Sequence, residues 1–219
     1  MIRAALPWLL GILVVVGVLG LPGLYYRANY EHARRLRVVA DGVLYRCGQL
    51  PAAGFRDARR KYGIKTVVNL QEEARDPLLP ASVFQKPSVR ETDVLDDLGV
   101  KYICLDGGVL DDPGLPPGSR PAVIDEFLEI MDDSANHPVL IHCKAGLHRT
   151  GRLTAIYRME YEGWGTGAAL RELRANGYGF AMASTADDFI IQFVQNYTPR
   201  TKAAAAVVGP AVLAGGGPR

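Results

Sequence analysis

A buried strand that runs directly into a polar, glycine-containing loop and then a helix is the feature that most constrains this chain. The apolar run HPVLIH, residues 137–142, has the length and composition of a strand enclosed within a sheet. CKAGLHRTG follows at residues 143–151, and a helical pattern continues to residue 162. Strand–loop–helix units of this kind build parallel sheets, and ligands bind beyond the carboxyl ends of such strands.

The same alternation of strands and helices extends over residues 38–198, which we predict to be one domain. The strand patterns are RVVADGVLYRCGQL, read as two strands around the Asp41–Gly42 turn, then IKTVVNL and VKYICL. The helical patterns are AAGFRDARRKYG, VRETDVLDDLG, RPAVIDEFLEIMDD, GTGAALRELRANG and TADDFIIQFVQNY. The fold class predicted is α/β, with a mostly parallel central sheet flanked by helices.

Composition excludes several other classes of protein. With 48% hydrophobic residues the chain can bury a sizeable core, and a net charge of +2 does not indicate nucleic-acid binding. The three cysteines, Cys47, Cys104 and Cys143, show neither metal-ligand spacing nor a CxxC pair. We therefore expect no disulfide framework, no metal site and no cofactor.

The amino-terminal stretch Ala4–Tyr26 contains no charged side chain. A helix of that length spans about 30 Å, so residues 1–26 are predicted to be a transmembrane anchor in contact with membrane lipid. A basic juxtamembrane linker, residues 27–37, follows, and its arginines predict a single-pass protein whose domain faces the cytoplasm. The alternative is a cleaved signal that leaves the domain secreted or periplasmic. Residues 199–219, rich in Ala, Gly and Pro, are predicted to be a disordered tail.

The loop after the buried strand contains the residues for binding an anion and attacking it. Arg149 follows Cys143 by six positions, whereas neither Cys47 nor Cys104 has an arginine at that spacing. Successive backbone amides at a helix start can surround a phosphate, and an arginine can bind two of its oxygens. Thiolates are favoured beside cations and helix N-termini, so the cysteine is a candidate nucleophile. Thr150 can donate a hydrogen bond to its sulfur.

HCKAGLHRTG resembles the signature loop of the cysteine-dependent protein tyrosine and dual-specificity phosphatases. VLYRCGQL is similar to the opening strand of their small atypical branch from plants and fungi and its bacterial relatives. The resemblance implies hydrolysis of phosphate monoesters through a phosphocysteine, with Cys143 as nucleophile, Arg149 as phosphate clamp and Thr150 assisting the second step. It also implies a supporting role for His142. The implied phosphate-binding residues are Lys144, Ala145, Gly146, Leu147, His148 and Arg149.

The family also implies an aspartic acid that protonates the leaving group from a mobile loop about thirty residues before the cysteine. Three candidates, Asp106, Asp111 and Asp112, lie in LDGGVLDDPGLPPG. DPGLP resembles the Asp-x-Gly-x-Pro pattern of that loop and favours Asp112. The other two stay open, because aspartates before a proline also serve as turn residues.

Several substrates and two other functions remain open at this stage. A phosphorylated protein, as phosphotyrosine or dual-specificity substrate, is the first expectation. Lys144 and His148 favour a more anionic phosphoinositide or inositol polyphosphate or pyrophosphate. Against this, Leu147 lies where pyrophosphate-cleaving relatives are often basic. A non-catalytic phosphate-binding module and a thiol redox protein are the other hypotheses. The charged segment after NL, residues 72–76, is expected to be a solvated loop, although strand ends can line a pocket.

Overall fold

The structure is a computed structural model and describes residues 2–26, 32–80, 87–105, 120–177 and 185–200. The chain divides into two compact units. The first comprises Met1–Leu110 and Pro121–Thr150, and the second comprises Asp111–Arg120 and Gly151–Arg219.

A five-stranded sheet forms the centre of the first unit. Its strands are β1 (Arg37–Ala40), β2 (Leu44–Gly48), β3 (Thr66–Asn69), β6 (Lys101–Cys104) and β7 (Val139–Cys143), in the order β1-β2-β7-β3-β6. The β2–β7, β7–β3 and β3–β6 pairs are parallel, and only β1 pairs in antiparallel fashion, with β2. The α/β class and the mostly parallel sheet predicted from the sequence are therefore confirmed.

The central strand of this sheet is β7, which explains the apolar run Val139–Ile141 with which it begins. Its five residues are all buried, and it pairs with β2 on one side and β3 on the other. A strand enclosed on both edges and both faces requires apolar residues at successive positions. Because β7 ends at Cys143, the polar loop begins at the carboxyl edge of the middle of the sheet.

Three helices of the first unit accompany the sheet: α3 (Ala52–Tyr62), α4 (Glu91–Asp97) and α5 (Ala122–Asp132). α3 buries Phe55 and Ala58 in a cluster with Val67 and Leu140 of the sheet. It ends as predicted at Gly63, whose φ of 68° is a left-handed conformation that glycine adopts without strain.

A second, two-stranded antiparallel sheet was not predicted. It consists of β4 (Leu78–Pro80) and β5 (Pro87–Arg90). The helix predicted over VRETDVLDDLG starts only at Glu91, because Val89 and Arg90 pair with β4 instead. A proline on each strand at one end of the pairing, Pro80 opposite Pro87, obscured the strand pattern in the sequence.

The second unit contains helices. α6 (His148–Tyr161) starts in the first unit and its remaining turns belong to the second, together with α7 (Thr166–Ala175) and α8 (Thr185–Asn196). Arg158 connects α6 to α7 through an ion pair with Glu172 at 2.8 Å, and its guanidinium stacks on Trp164 at 4.6 Å. This arginine is a structural ion-pair residue of the second unit.

The predicted transmembrane helix within residues 1–26 is not found, since no helix in the described ranges is both long and apolar enough to cross a bilayer. The stretch consists of α1 (Ile2–Val15), a π-helical turn (Val16–Gly20) and α2 (Leu21–Tyr26). A cytoplasm-facing domain and contact with lipid stay predictions, as does the linker over 27–37. The predicted tail, 199–219, lies almost wholly outside the described residues.

Candidate active site

The candidate site is the loop between β7 and α6, which we call the phosphate loop (residues 143–149). Cys143 is the last residue of β7 and is 5% exposed. Arg149 lies in the first turn of α6, so the six-residue spacing brings the end of a strand and the start of a helix to one place. Backbone amides at such a helix start are oriented to bind an anion.

Gly146 folds the loop back over the thiol. Its φ of 69° is left-handed, and its N–H donates to Cys143 Sγ at 3.3 Å. A Cβ atom at this position would lie 2.5 Å from the carbonyl carbon of Cys47 in β2. Both the backbone conformation and the space therefore require glycine. The amide shows that at least one N–H of the loop is directed at the sulfur.

Arg149 is paired with a carboxylate that comes from another part of the sheet. Its Nη1 donates to Glu73 Oε2 at 2.8 Å, across 76 residues of sequence. Glu73 lies in the loop after β3, the strand beside β7. Its own backbone N–H and the Arg149 guanidinium lower the pKa of Glu73 below the ordinary value, so the carboxylate is ionised at neutral pH. The charged segment 72–76, expected to be a solvated loop unless its strand end lined a pocket, thus places Glu73 beside the site.

A buried hydrogen bond between two side chains lies behind the cysteine. His142 Nε2 and Glu91 Oε1 are 2.9 Å apart, and both side chains are fully buried. The other carboxylate oxygen of Glu91 accepts a hydrogen bond from the side chain of Gln49, whose own oxygen accepts one from Gln71. This chain of polar side chains fixes the orientation of the His142 ring, and the supporting role implied for His142 stays a prediction.

The other predicted phosphate-site residues lie along the loop as the spacing requires. Thr150 is buried in the first turn of α6. Lys144, Ala145 and His148 are exposed, and Leu147 is half-buried. The loop thus has a buried inner side and an accessible rim that contains two basic side chains.

The three candidates for the general acid, Asp106, Asp111 and Asp112, lie outside the described residues. Their assignment stays a prediction. Within the ranges that the structure describes, no group of three or more His, Cys, Asp or Glu side chains is arranged to bind a metal ion.

Sequence reasoning missed Arg46, Gln49 and Glu91. Arg46 and Gln49 lie within VLYRCGQL. The signal for Arg46 was an arginine inside an otherwise buried strand. Charged residues are seldom fully buried without a partner, so a buried arginine indicates a specific contact. Glu91 gave no comparable signal, because acidic residues are common in the first turn of a helix.

Together the central-strand cysteine, the amide directed at its sulfur and the arginine of the next helix match the signature loop of the cysteine-dependent phosphatases. The chain belongs to the family described as DSP-PTPase phosphatase fused to NAD+ kinase, whose model matches residues 29–185.

Proteins named as phosphatases are similar to parts of the chain. The dual specificity protein phosphatase TpbA of Pseudomonas aeruginosa is 50% identical over 57 residues, 26% of this chain and 26% of TpbA. The inositol diphosphatase DSP4 of Arabidopsis thaliana is 58% identical over 36 residues, 16% of this chain and 18% of DSP4. The chain thus spans about a quarter or less of the length of these two relatives.

Solved structures agree with the fold. The core catalytic domain of the PP-IP phosphatase SIW14 from S. cerevisiae superposes with a TM-score of 0.57 at 23% identity, covering 81% of this chain and 93% of that one. P. aeruginosa TpbA superposes with a TM-score of 0.53 at 20% identity, covering 78% and 90%. At these identities the likeness shows the fold.

Proposed function

We propose that this chain hydrolyses phosphate monoesters through a phosphocysteine formed on Cys143. The observation that carries the proposal is the Gly146 N–H directed at Cys143 Sγ in a loop that ends a central parallel strand. An amide that contacts the sulfur also lies beside a phosphate bonded to that sulfur. Donors fixed in this way stabilise the charge that develops on the phosphoryl oxygens.

In the first step the Cys143 thiolate attacks phosphorus and the bond from phosphorus to the ester oxygen breaks. The leaving oxygen takes its proton from a carboxylic acid, for which Asp112 is our first candidate and Asp111 the second. Arg149 binds two phosphoryl oxygens with the donors of its planar guanidinium. The product of this step is the free alcohol or phenol and a phosphocysteine.

In the second step water attacks the phosphocysteine, and the bond from sulfur to phosphorus breaks to give inorganic phosphate. The acid of the first step now accepts the proton of the water. The buried Thr150 hydroxyl, in the first turn of α6, donates to the departing sulfur and stabilises the thiolate. The reaction uses no metal and no cofactor.

For the substrate we infer a phosphorylated protein with phosphotyrosine or dual specificity, in line with the name of TpbA. The second candidate is an inositol pyrophosphate, in line with the names of DSP4 and SIW14. The exposed Lys144 and His148 favour it, because they add positive charge at the rim of the loop. The ionised Glu73 beside Arg149 disfavours an inositol pyrophosphate as the substrate.

Turnover of p-nitrophenyl phosphate by the full chain and by Cys143→Ser tests the reaction. We expect the wild type to release phosphate and the variant to lose at least about 10⁴-fold in kcat while it still binds phosphate. A wild type that binds phosphate without turnover supports a non-catalytic binding module. A panel of phosphotyrosine peptide, phosphoserine peptide, phosphoinositide and inositol pyrophosphate then ranks the substrates by kcat/KM.

A further inference from the structure

The buried inner side of the phosphate loop lies directly on the end of β2. A Cβ atom on Gly146 would meet backbone atoms of Cys47 and Gly48 at 2.5 Å, and one on Gly48 would meet the Ala145 carbonyl at 3.1 Å. Two glycines in separate elements therefore let two backbones approach more closely than side chains would allow. This contact makes the end of β2 the surface against which the loop is shaped.

Donors on this surface bind successive carbonyl oxygens of the loop. The Gln49 N–H donates to the Lys144 oxygen at 3.1 Å. The buried Arg46 Nη2 donates to the Gly146 oxygen at 2.8 Å. An arginine that precedes β1, Arg35, approaches the Ala145 oxygen at a longer 3.4 Å.

A carbonyl bonded on one side directs the next amide to the other side. In a trans peptide the C=O and the following N–H point in opposite directions. The peptide between Ala145 and Gly146 illustrates this, since its oxygen faces Arg35 while its N–H donates to Cys143 Sγ. By the same geometry the Arg46 contact directs the Leu147 N–H towards the side of the loop that faces the thiol.

Arg46 is suited to this task by its burial. It is 4% exposed in the middle of β2, where all residues are buried, and it lies opposite Ile141 in the neighbouring β7. A buried guanidinium requires acceptors, and a planar donor group restricts the direction of the bond it makes. The contact with the Gly146 oxygen is therefore short and well defined.

We propose that Arg46 is a positioning residue of the phosphate site, which fixes the Gly146–Leu147 peptide so that the Leu147 amide faces the bound phosphate. The inference rests on the proposed phosphatase function of the loop. Arg46 acts through this peptide and makes no direct contact with substrate. Its loss should weaken binding of an oxyanion as well as turnover, since the same amide contacts the ground state and the transition state.

The test compares Arg46→Met, Arg46→Lys and the matched control Arg158→Met, which removes a structural ion-pair arginine of the second unit. Inorganic phosphate is the inhibitor and p-nitrophenyl phosphate the substrate. We expect Arg46→Met to raise the inhibition constant of phosphate about tenfold and to lower kcat/KM about 10²-fold. Arg46→Lys should restore part of the phosphate affinity and part of kcat/KM. Arg158→Met should lower the melting temperature and leave both constants within about twofold.

A folded Arg46→Met whose phosphate inhibition and kcat/KM stay within about twofold of wild type overturns the proposal. If the methionine variant does not fold, the lysine variant decides by the same two constants. Protection of Cys143 from iodoacetamide by phosphate separates the two hypotheses. If phosphate protects the wild type but the wild type has no turnover, the phosphatase function is contradicted. If Arg46→Met weakens that protection, the positioning role is still supported.

Discussion

The inner side of the phosphate loop and its rim are built differently. On the inner side, Gly146 contacts the backbone of β2, Arg46 donates to the loop and His142 pairs with Glu91, all of them buried. At the rim, Lys144 and His148 are exposed. The inner side fixes directions of hydrogen bonds, whereas the rim contributes charge that solvent screens.

Glu73 shows the difference most clearly, because it forms an ion pair with Arg149 although its side chain is 56% exposed. The other carboxylate of the site, Glu91, is fully buried against His142. Exposed ion pairs contribute little to stability, whereas breaking a buried pair is costly. We therefore expect substitutions on the inner side to abolish or cripple the site, and substitutions at the rim to adjust substrate choice.

The largest effect is expected for Gly146→Ala. The new Cβ would overlap the Cys47 carbonyl at 2.5 Å, and the positive φ disfavours any side chain. Overpacking and this backbone conformation together should lower the free energy of unfolding by about 2–4 kcal/mol and kcat/KM by at least about 10²-fold. Urea unfolding and steady-state kinetics measure both.

Gly42→Ala is the matched control, because Gly42 has nearly the same φ, 71°, with no atom within 4 Å of the added carbon. It should lose only about 1–2 kcal/mol and keep its activity. Equal losses in the two variants would mean that the contact with β2 has no role in the site.

A smaller effect is expected for Glu91→Gln, which keeps the shape of the side chain and removes its charge. An amide nitrogen replaces one of the two carboxylate oxygens that face His142 and Gln49, so a buried acceptor is lost and we expect a loss of about 2–3 kcal/mol in the free energy of unfolding. Asp93→Asn, an exposed position on the same helix, should change stability by less than about 0.5 kcal/mol. An unchanged Glu91→Gln variant would contradict the distinction between the two carboxylates.

The smallest effect is expected for Glu73→Gln at the rim. The pKa of Glu73 is lowered in the fold, so its stabilising contribution is present above its ordinary pKa of 4.5 and is lost as the pH falls through the lower folded value. The variant should lose less than about 1 kcal/mol at pH 7 and nothing at a pH below the folded pKa.

The same variant should also lower KM for a multiply phosphorylated substrate more than for p-nitrophenyl phosphate, because a negative charge beside Arg149 is removed. Kinetics with both substrates measure this, and Glu72→Gln, an exposed neighbour, is the control. A KM that rises for both substrates would mean that Glu73 orients Arg149 rather than screening it.

The part of the site that could be predicted from the sequence is the part that is local in sequence. The strand pattern of β7 and the spacing of Cys143 and Arg149 lie within eleven residues, and the structure forms both as expected. The alternation of strand and helix patterns also predicted the mostly parallel sheet. Local periodicity determines which residues are buried, and burial on both faces identifies a central strand.

The contacts that could not be predicted join residues far apart in sequence. Arg46 and Gly146 are separated by 100 residues and Glu73 and Arg149 by 76, and each contact depends on the order and register of the strands. Strand order is not encoded in the pattern of any one strand. The predicted amino-terminal spanning helix is not found among the described residues, and apolar composition does not show where α1 ends and a π-helical turn begins.

The most direct test of the central claim is to trap the phosphoenzyme. The full chain is mixed with excess p-nitrophenyl phosphate, quenched within milliseconds and digested, and the peptides are examined by mass spectrometry. We predict a phosphoryl group on the Cys143 peptide of the wild type that is absent from Cys143→Ser. Turnover in the wild type with the phosphoryl group on another residue, or with undiminished activity in Cys143→Ser, would contradict the account.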